Sequence, residues 1–495
     1  MYTFSSKLKT FSFVLMAVGL LGIGYGFLTA PKDIQEVEQI LAGESHGGHG
    51  EAKHEATTAA EPSHEVAAKH SEANEEKKME ESHEAAASAD DTTKVTDAVT
   101  HAEPVHVQEG SIKEGHDVAK AAEHKEHAEH VLHQLQNKPW ASLYVACIFF
   151  MLLSMGVLAF YAIQQVAQAG WSPVLFRVMQ GITAYLPVGS LIFFIILVIC
   201  GLNIFHSNSL FIWLDPEVVA HDKIIANKSG YLNFPFWIIR AAIFLIGWNL
   251  YRYYSAKNCL AQDQATDDLN YKKNFKMSAA FLVFFIVTES IMSWDWIMSI
   301  DPHWSSTLFG WYVFASFFVS GITMITMVSL YLKSRGYLEY VNTSHIHDLA
   351  KFMFGISVFW TYLWFSQFML IWYANIPEEI TYFVTRIQLY NLPFFGAVVM
   401  NFLFPILILI NTDFKRITWI LVMAGIVILL GHYIDFFNMI MPGTVGDRWF
   451  IGISEIASVL FFLGLFLYVV FTALTKAPLL PKRNPFIEES KHFHY

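Results

Sequence analysis

Several stretches of this chain run past eighteen residues with almost no charge, and that feature limits the fold more than any other. A helix of that length crosses a hydrocarbon core of about 30 Å, and inside such a core only helices or closed barrels satisfy every backbone polar group. Ten spans are predicted, at about 11–29, 140–167, 183–205, 231–252, 277–299, 309–332, 350–374, 393–411, 418–440 and 449–475. With 54% hydrophobic and 16% aromatic residues, the chain is too apolar for a soluble protein of 495 residues. The expected fold class is all-α integral membrane.

The net charge of −11 misdescribes the body. Residues 30–138 hold 24 acidic and 10 basic side chains, whereas the remainder holds 19 acidic and 22 basic. Placing the N-terminus in the cytoplasm puts 17 lysines and arginines on the inner side and four (Lys223, Lys228, Arg386, Arg448) in the short outer loops. Short loops on the translocated side are poor in Lys and Arg, so this orientation is expected. The basic start and the stretch "FLTAPK" of the first span also fit a cleaved signal peptide; a long apolar core and the lack of an A-x-A site favour a retained anchor.

Residues 43–136 are low-complexity Ala, Glu, His and Lys, and 13 of the 21 histidines fall between 30 and 138. His124, His127, His130 and His133 recur every third residue on one drifting helical stripe. A solvated, partly helical tether is the first reading and metal scavenging the alternative. Cys147, Cys200 and Cys259 show no CxxC or Cys/His metal spacing, so neither a disulfide framework nor a Cys-ligated cluster is expected.

An internal repeat organises the rest. "DWIMSIDP" (295–302) closes the fifth span and "DFFNMIMP" (435–442) the ninth, while "NFPF" (233–236) opens the fourth and "NLPF" (391–394) the eighth. Four spans separate each pair, so the copies point the same way. The expected architecture is therefore about ten transmembrane helices, in two parallel-repeat four-helix bundles plus peripheral helices. By residue, 1–29 is an N-terminal anchor and 30–139 an acidic, His-rich outer loop. Residues 140–308 form the first bundle (spans 2–5) and 309–448 the second (spans 6–9). Residues 449–475 are the tenth helix, and 476–495 a cytoplasmic tail.

Ionisable side chains inside spans are the candidate functional residues, because hydrocarbon solvates them poorly and they usually mark proton, ion or substrate paths. Asp295 and Asp435 each precede a span-ending proline by seven residues, about 10 Å along a helix. Arg240 and Glu455 lie at similar depth; His432, on the face of Asp435, is deeper, and Glu289 deeper still. A graded series of this kind suits a proton route, while Arg240 with either aspartate also suits a buried ion pair that only fixes packing. Asp301 and His303 are expected in an interfacial turn, and Trp294, Trp296, Trp304 and Trp311 in an aromatic belt. No Gly-rich phosphate loop, nucleophile elbow or HExxH is present, and only His432 lies deep enough to be a haem ligand. Any electron carriers of a redox assembly must then belong to partners.

Four motifs carry a resemblance: "AGWSPVLFRV" (169–178), "WLDPEVVAHDKIIANKSGYLNFPFWIIR" (213–240), "SWDWIMSIDPHWSSTLFGWYVFASFFVSG" (293–321) and "HYIDFFNMIMP" (432–442). Over about 140–475 the chain resembles the polysulfide-reductase-like membrane subunits. Among them it resembles the second large integral-membrane component, of quinone-binding type, in alternative complex III, the bacterial quinol:cytochrome c oxidoreductase. The resemblance implies ten helices in two four-helix bundles, set in the bacterial inner membrane. As partners it implies the lipid bilayer, a sister membrane subunit of the same family, an iron–sulfur subunit and haem c subunits; nucleic acid is not expected. No cofactor would be held covalently or by Cys and His ligands, and a menaquinone or ubiquinone would be the ligand to test. It points to Asp295 and His303, and to His432 and Asp435, within the matching motifs. A purely structural anchor and an independent proton- or ion-coupled transporter remain the alternatives.

Overall fold

A computed structural model describes residues 2–47, 109–204 and 210–494. Among these residues there is no strand, and ten helical spans are long and apolar enough to cross a membrane. The chain is thus a multi-pass, all-α integral membrane protein. It divides into two compact units, Met1–Val37 with Ala128–Tyr495, and Glu38–His127. Most of the His-rich tether, 48–108, lies outside the described residues.

In chain order, α1 (Ser6–Thr29) and α2 (Ile34–Gly47) precede α3 (Glu109–Val166). Helix α3 begins well before residue 140: the end of the expected loop, 109–139, is helical and runs through Pro139 into the second span. His124, His127, His130 and His133 are all exposed on it. The third span is jointed, as α4 (Phe176–Thr183) and α5 (Leu186–Gly201), because Pro187 has no N–H to continue the ladder. Two short helices, α6 (Pro216–His221) and α7 (Lys223–Lys228), are N-capped by Asp215 and Asp222. They lead to α8 (Phe234–Gln262), capped by Asn233. Such caps contribute about 1 kcal/mol each. Helix α9 (Leu269–Trp296) tightens into a 3₁₀ turn, Met298–Ile300, before Pro302.

The second half begins with α10 (Phe309–Ser334), α11 (Thr343–Ala374) and the short α12 (Pro377–Gln388). The eighth span is interrupted at a proline inside it. Its pieces, α13 (Asn391–Val398) and α14 (Phe404–Leu409), flank a π turn at Val399–Leu403. Pro405 leaves the Asn401 carbonyl without its usual donor, and the backbone widens there. Helix α15 (Thr418–Ile440) and the turn-like α16 (Pro442–Val445) complete the ninth span. Helices α17 (Ile453–Leu474) and α18 (Ile487–Lys491) end the chain.

The two halves repeat one packing cycle. In the first, α3 meets α5 through Tyr144 and Phe193, α5 packs on α8, α8 on α9, and α9 returns to α3 where the Tyr144 hydroxyl donates to the Trp296 carbonyl. In the second, α10 packs on α11, α11 on α14, α13 and α14 on α15, and α15 returns to α10. Helices α3 and α10 are the most buried spans and cross at two glycines. A Cβ on Gly156 would collide with the Phe317 carbonyl oxygen, and one on Gly321 would lie 2.8 Å from the Val157 nitrogen. Close backbone approach through small residues is how helices gain contact in lipid, where no hydrophobic drive joins them. Helix α1 uses the same device on α17. Its three buried residues, Ser12, Gly19 and Gly26, recur every seventh position, and Gly464 receives the Ser12 turn. The rest of α1 exposes large apolar side chains such as Leu21 and Leu28.

Two of the tryptophans read as belt residues are core instead. Trp296 is fully buried against Phe193 and Trp248, and Trp304 packs 4.0 Å from the Tyr382 ring centroid. Trp311 is exposed.

Candidate functional site

The two repeat aspartates sit in different chemistry. Asp295 is fully buried and bound by one guanidinium: Arg240 Nε donates to Oδ2 at 2.6 Å and Nη2 to Oδ1 at 2.9 Å. The Arg240 donors left over reach the Tyr231 carbonyl at 3.3 Å, and its plane lies over the Tyr231 and Phe236 rings at 4.0 and 4.2 Å. Planarity and fork geometry suit arginine to such a seat. Trp237 Nε1 then donates to the Asp295 carbonyl at 2.9 Å, tying the same two helices a second time. Every oxygen of Asp295 is occupied, and the pair is a strut between α8 and α9.

Asp435 has no such partner. No lysine or arginine forms an ion pair with it among the described residues, and it is 1% exposed. Three neutral donors surround its carboxyl. The Tyr312 hydroxyl donates to Oδ1, while Ser316 Oγ and Trp360 Nε1 each donate to Oδ2 at 2.9 Å. Tyr312 and Ser316 are one turn apart on α10, so both hydroxyls reach the same carboxyl. His432, one turn earlier on α15, places Nδ1 3.0 Å from Ser316 Oγ and 3.8 Å from Asp435 Oδ2. A serine hydroxyl carries one proton. With that proton on Asp435, the donor count assigns the Nδ1 proton to His432, donated to Ser316. His432 Nε2 is buried without a hydrogen-bond partner among the described residues.

A cavity of about 10 Å³, room for roughly one water, adjoins this cluster and is bordered by Tyr312, Gln367, Tyr382, Arg386 and Asn438. Trp364, Phe383, Phe394 and Met439 make most of its wall apolar, but both amide atoms of Gln367 and Oδ1 of Asn438 are buried there without partners among the described residues. Arg386 is committed elsewhere, donating to the Asn438 carbonyl at 2.9 Å and the Tyr382 carbonyl at 2.7 Å. Its counterpart in the first repeat is Lys228, which donates to the Pro302 carbonyl at 2.5 Å. Each cation stands five residues before the repeated Asn-x-Pro-Phe and holds carbonyls at the end of the aspartate-bearing span. A cation there complements the helix dipole. The cavity beside Asp435 does not fit a quinone ring, so no step through quinone is derived at this site.

The structure brings Arg240 to Asp295 and His432 to Asp435; the other three candidates join neither group. Glu289 is buried, with Oε1 unpartnered among the described residues and Oε2 accepting only from the adjacent Ser290 hydroxyl at 3.2 Å. Glu455 is the N3 residue of a capping box, accepting from the Gly452 N–H and from Ser142 Oγ, both at 2.8 Å. His303 lies in the loop after α9, its Nε2 2.5 Å from Asp222 Oδ2. That contact and the α7 amides hold the Asp222 carboxyl below the usual carboxylate range. Sequence reasoning missed Tyr312, Ser316, Trp360, Gln367 and Asn438. Neutral donors leave no charge signal in an apolar span, although the i, i+4 spacing of Tyr312 and Ser316 was readable.

Fold and site together define a multi-pass helical membrane protein with one ion-paired and one neutrally solvated buried aspartate. The chain matches no protein-family model and no curated protein sequence.

Proposed function

We propose that this chain is a non-haem membrane subunit of a quinol-oxidising respiratory complex of the alternative complex III type, and that it moves protons through Asp435. One observation carries the reading: a carboxyl sunk in the bundle, with no cation paired to it among the described residues, joined through Ser316 to a histidine whose second nitrogen is unpartnered there. A proton taken up at His432 Nε2 lets Nδ1 pass its own proton to Ser316 Oγ, and the Ser316 proton passes to Asp435. One proton enters, one leaves the imidazole, and the carboxyl ends protonated beside Tyr312. The small cavity beyond Tyr312, where Gln367 and Asn438 have unpartnered polar atoms among the described residues, offers room for a water to carry it on. Quinol oxidation then belongs to the sister subunit, and electrons pass to the iron–sulfur and haem c subunits. On this reading the complex sits in the bacterial inner membrane with both termini of this chain cytoplasmic and the His-rich loop periplasmic.

The Arg240–Asp295 strut favours a structural contribution from the first repeat, with proton handling confined to the second. Asp435→Asn in the native complex should lower turnover and protons released per quinol, while the subunits and haems still co-purify. Unchanged turnover and proton yield in an assembled variant would reject the proton role. Native protein migrating alone, free of haem-bearing partners, would favour the transporter reading.

A further inference from the structure

We propose that a second site, on the side of the bundle opposite Asp295 and Asp435, binds the phosphoryl headgroup of an anionic phospholipid. A cavity of about 460 Å³ opens there between the α4–α5 joint, the last turns of α8 and the end of α17. Its cations are Arg177, Arg252 and Lys476. Arg177 is a fixed wall, since Nη2 pairs with Asp263 at 2.6 Å and Nη1 donates to Gln180 at 2.9 Å. Arg252 differs: it is half-buried, its Nε is enclosed, and it makes no hydrogen bond or ion pair among the described residues. Lys476 stands exposed at the rim. A guanidinium held in a cavity with unused donors is a seat for an oxyanion, and its fork matches phosphate.

The apolar part of the cavity decides between a lipid and a free phosphate. Val188, Leu260 and Leu479 line it beside the cations. Val188 lies on one face of α5 with Leu191 and Ile195, which are 62% and 48% exposed. That face carries an apolar track from the cavity toward the membrane midplane, as an acyl chain would need. Basic pockets between helices at the membrane surface are where anionic headgroups dock, and the volume suits a headgroup with the start of a chain. The proposal stands apart from the proton reading and does not need it.

The test uses the full chain in detergent, stripped of lipid and titrated with phosphatidylglycerol, phosphatidylcholine and inorganic phosphate, with binding read by native mass spectrometry. Phosphatidylglycerol should bind more tightly than phosphatidylcholine, and inorganic phosphate should not displace it. Arg252→Gln should weaken it by about tenfold, the loss of one charge-assisted bond, while Arg252→Lys retains part of the binding. Val188→Asn should weaken long-chain but not short-chain phosphatidylglycerol, which keeps the test open if Arg252→Gln misfolds. Equal binding of both lipids, or wild-type affinity in folded Arg252→Gln, would overturn the site. Inorganic phosphate competing as well as the lipid would overturn the lipid assignment.

Discussion

Breaking the Arg240–Asp295 pair from one side should destabilise the protein far more than removing it whole. Asp295→Asn keeps the shape of the side chain but leaves a guanidinium facing a neutral amide. Arg240 would retain two 3.3 Å bonds to the Tyr231 carbonyl and the faces of two rings. Two charges about 4 Å apart attract by about 4 kcal/mol at an effective dielectric of about 20. Truncating one member of a buried pair costs about 3–5 kcal/mol in comparable cases, because the survivor stays buried and uncompensated. The ring contacts, worth about 2 kcal/mol each when desolvated, are present with or without the carboxylate and so do not offset its loss. Asp295→Asn should therefore cost about 3 kcal/mol or more, and Arg240→Met a similar amount. The double variant Arg240→Met/Asp295→Leu should lie within about 1–2 kcal/mol of the wild type, since apolar replacements of a buried pair are often nearly neutral. The assay is a double-mutant cycle of denaturant unfolding in detergent. Costs that simply add across the cycle would refute the strut.

Three further outcomes are expected. Gly156→Val, whose Cβ would collide with the Phe317 carbonyl, should cost about 1–3 kcal/mol or more. Gly355→Ala, with open space around its Cβ, should be neutral or stabilising; thermal unfolding of the two compares them. The Asp222 carboxyl, held low by His303 and the Ile224 and Ile225 amides, contributes stability that is full above the usual carboxylate range and is lost as pH falls through its lowered value. The protection of the Ile224 and Ile225 amides, measured relative to intrinsic exchange at each pH, should fall below about pH 4 and stay flat near neutrality. Glu455→Ala unpairs the Gly452 N–H, while the Ser142 hydroxyl keeps the Lys138 carbonyl at 2.7 Å; it should cost about 1 kcal/mol without changing proton yield, as a cap rather than a route would.

The spans were legible because a bilayer demands length and apolarity in one continuous run. Their ends were less so. Helix α3 enters through a segment whose Ala, Glu, Lys and His composition reads as solvated, and nothing local says that Val131 and Gln134 will be buried. The π turn before Pro405 follows from a missing donor, yet its position depends on what α15 presents there. Gly431 sits where a Cβ would strike the Asn401 side chain. The i, i+3 spacing of His432 and Asp435 gave their shared face correctly, whereas the choice of Arg240 partner required the crossing of α8 and α9. Residue type alone set the ionisable members of the site. The neutral groups that solvate Asp435 come from α10 and α11, 75 to 123 residues away along the chain, and only packing brings them in.

Redox-triggered infrared difference spectroscopy on the assembled complex tests the proton role of Asp435 most directly. A protonated-carboxyl band should appear on quinol oxidation, vanish in Asp435→Asn and persist in Glu289→Gln. A spectrum that Asp435→Asn leaves unchanged would mean that this carboxyl takes no proton during turnover.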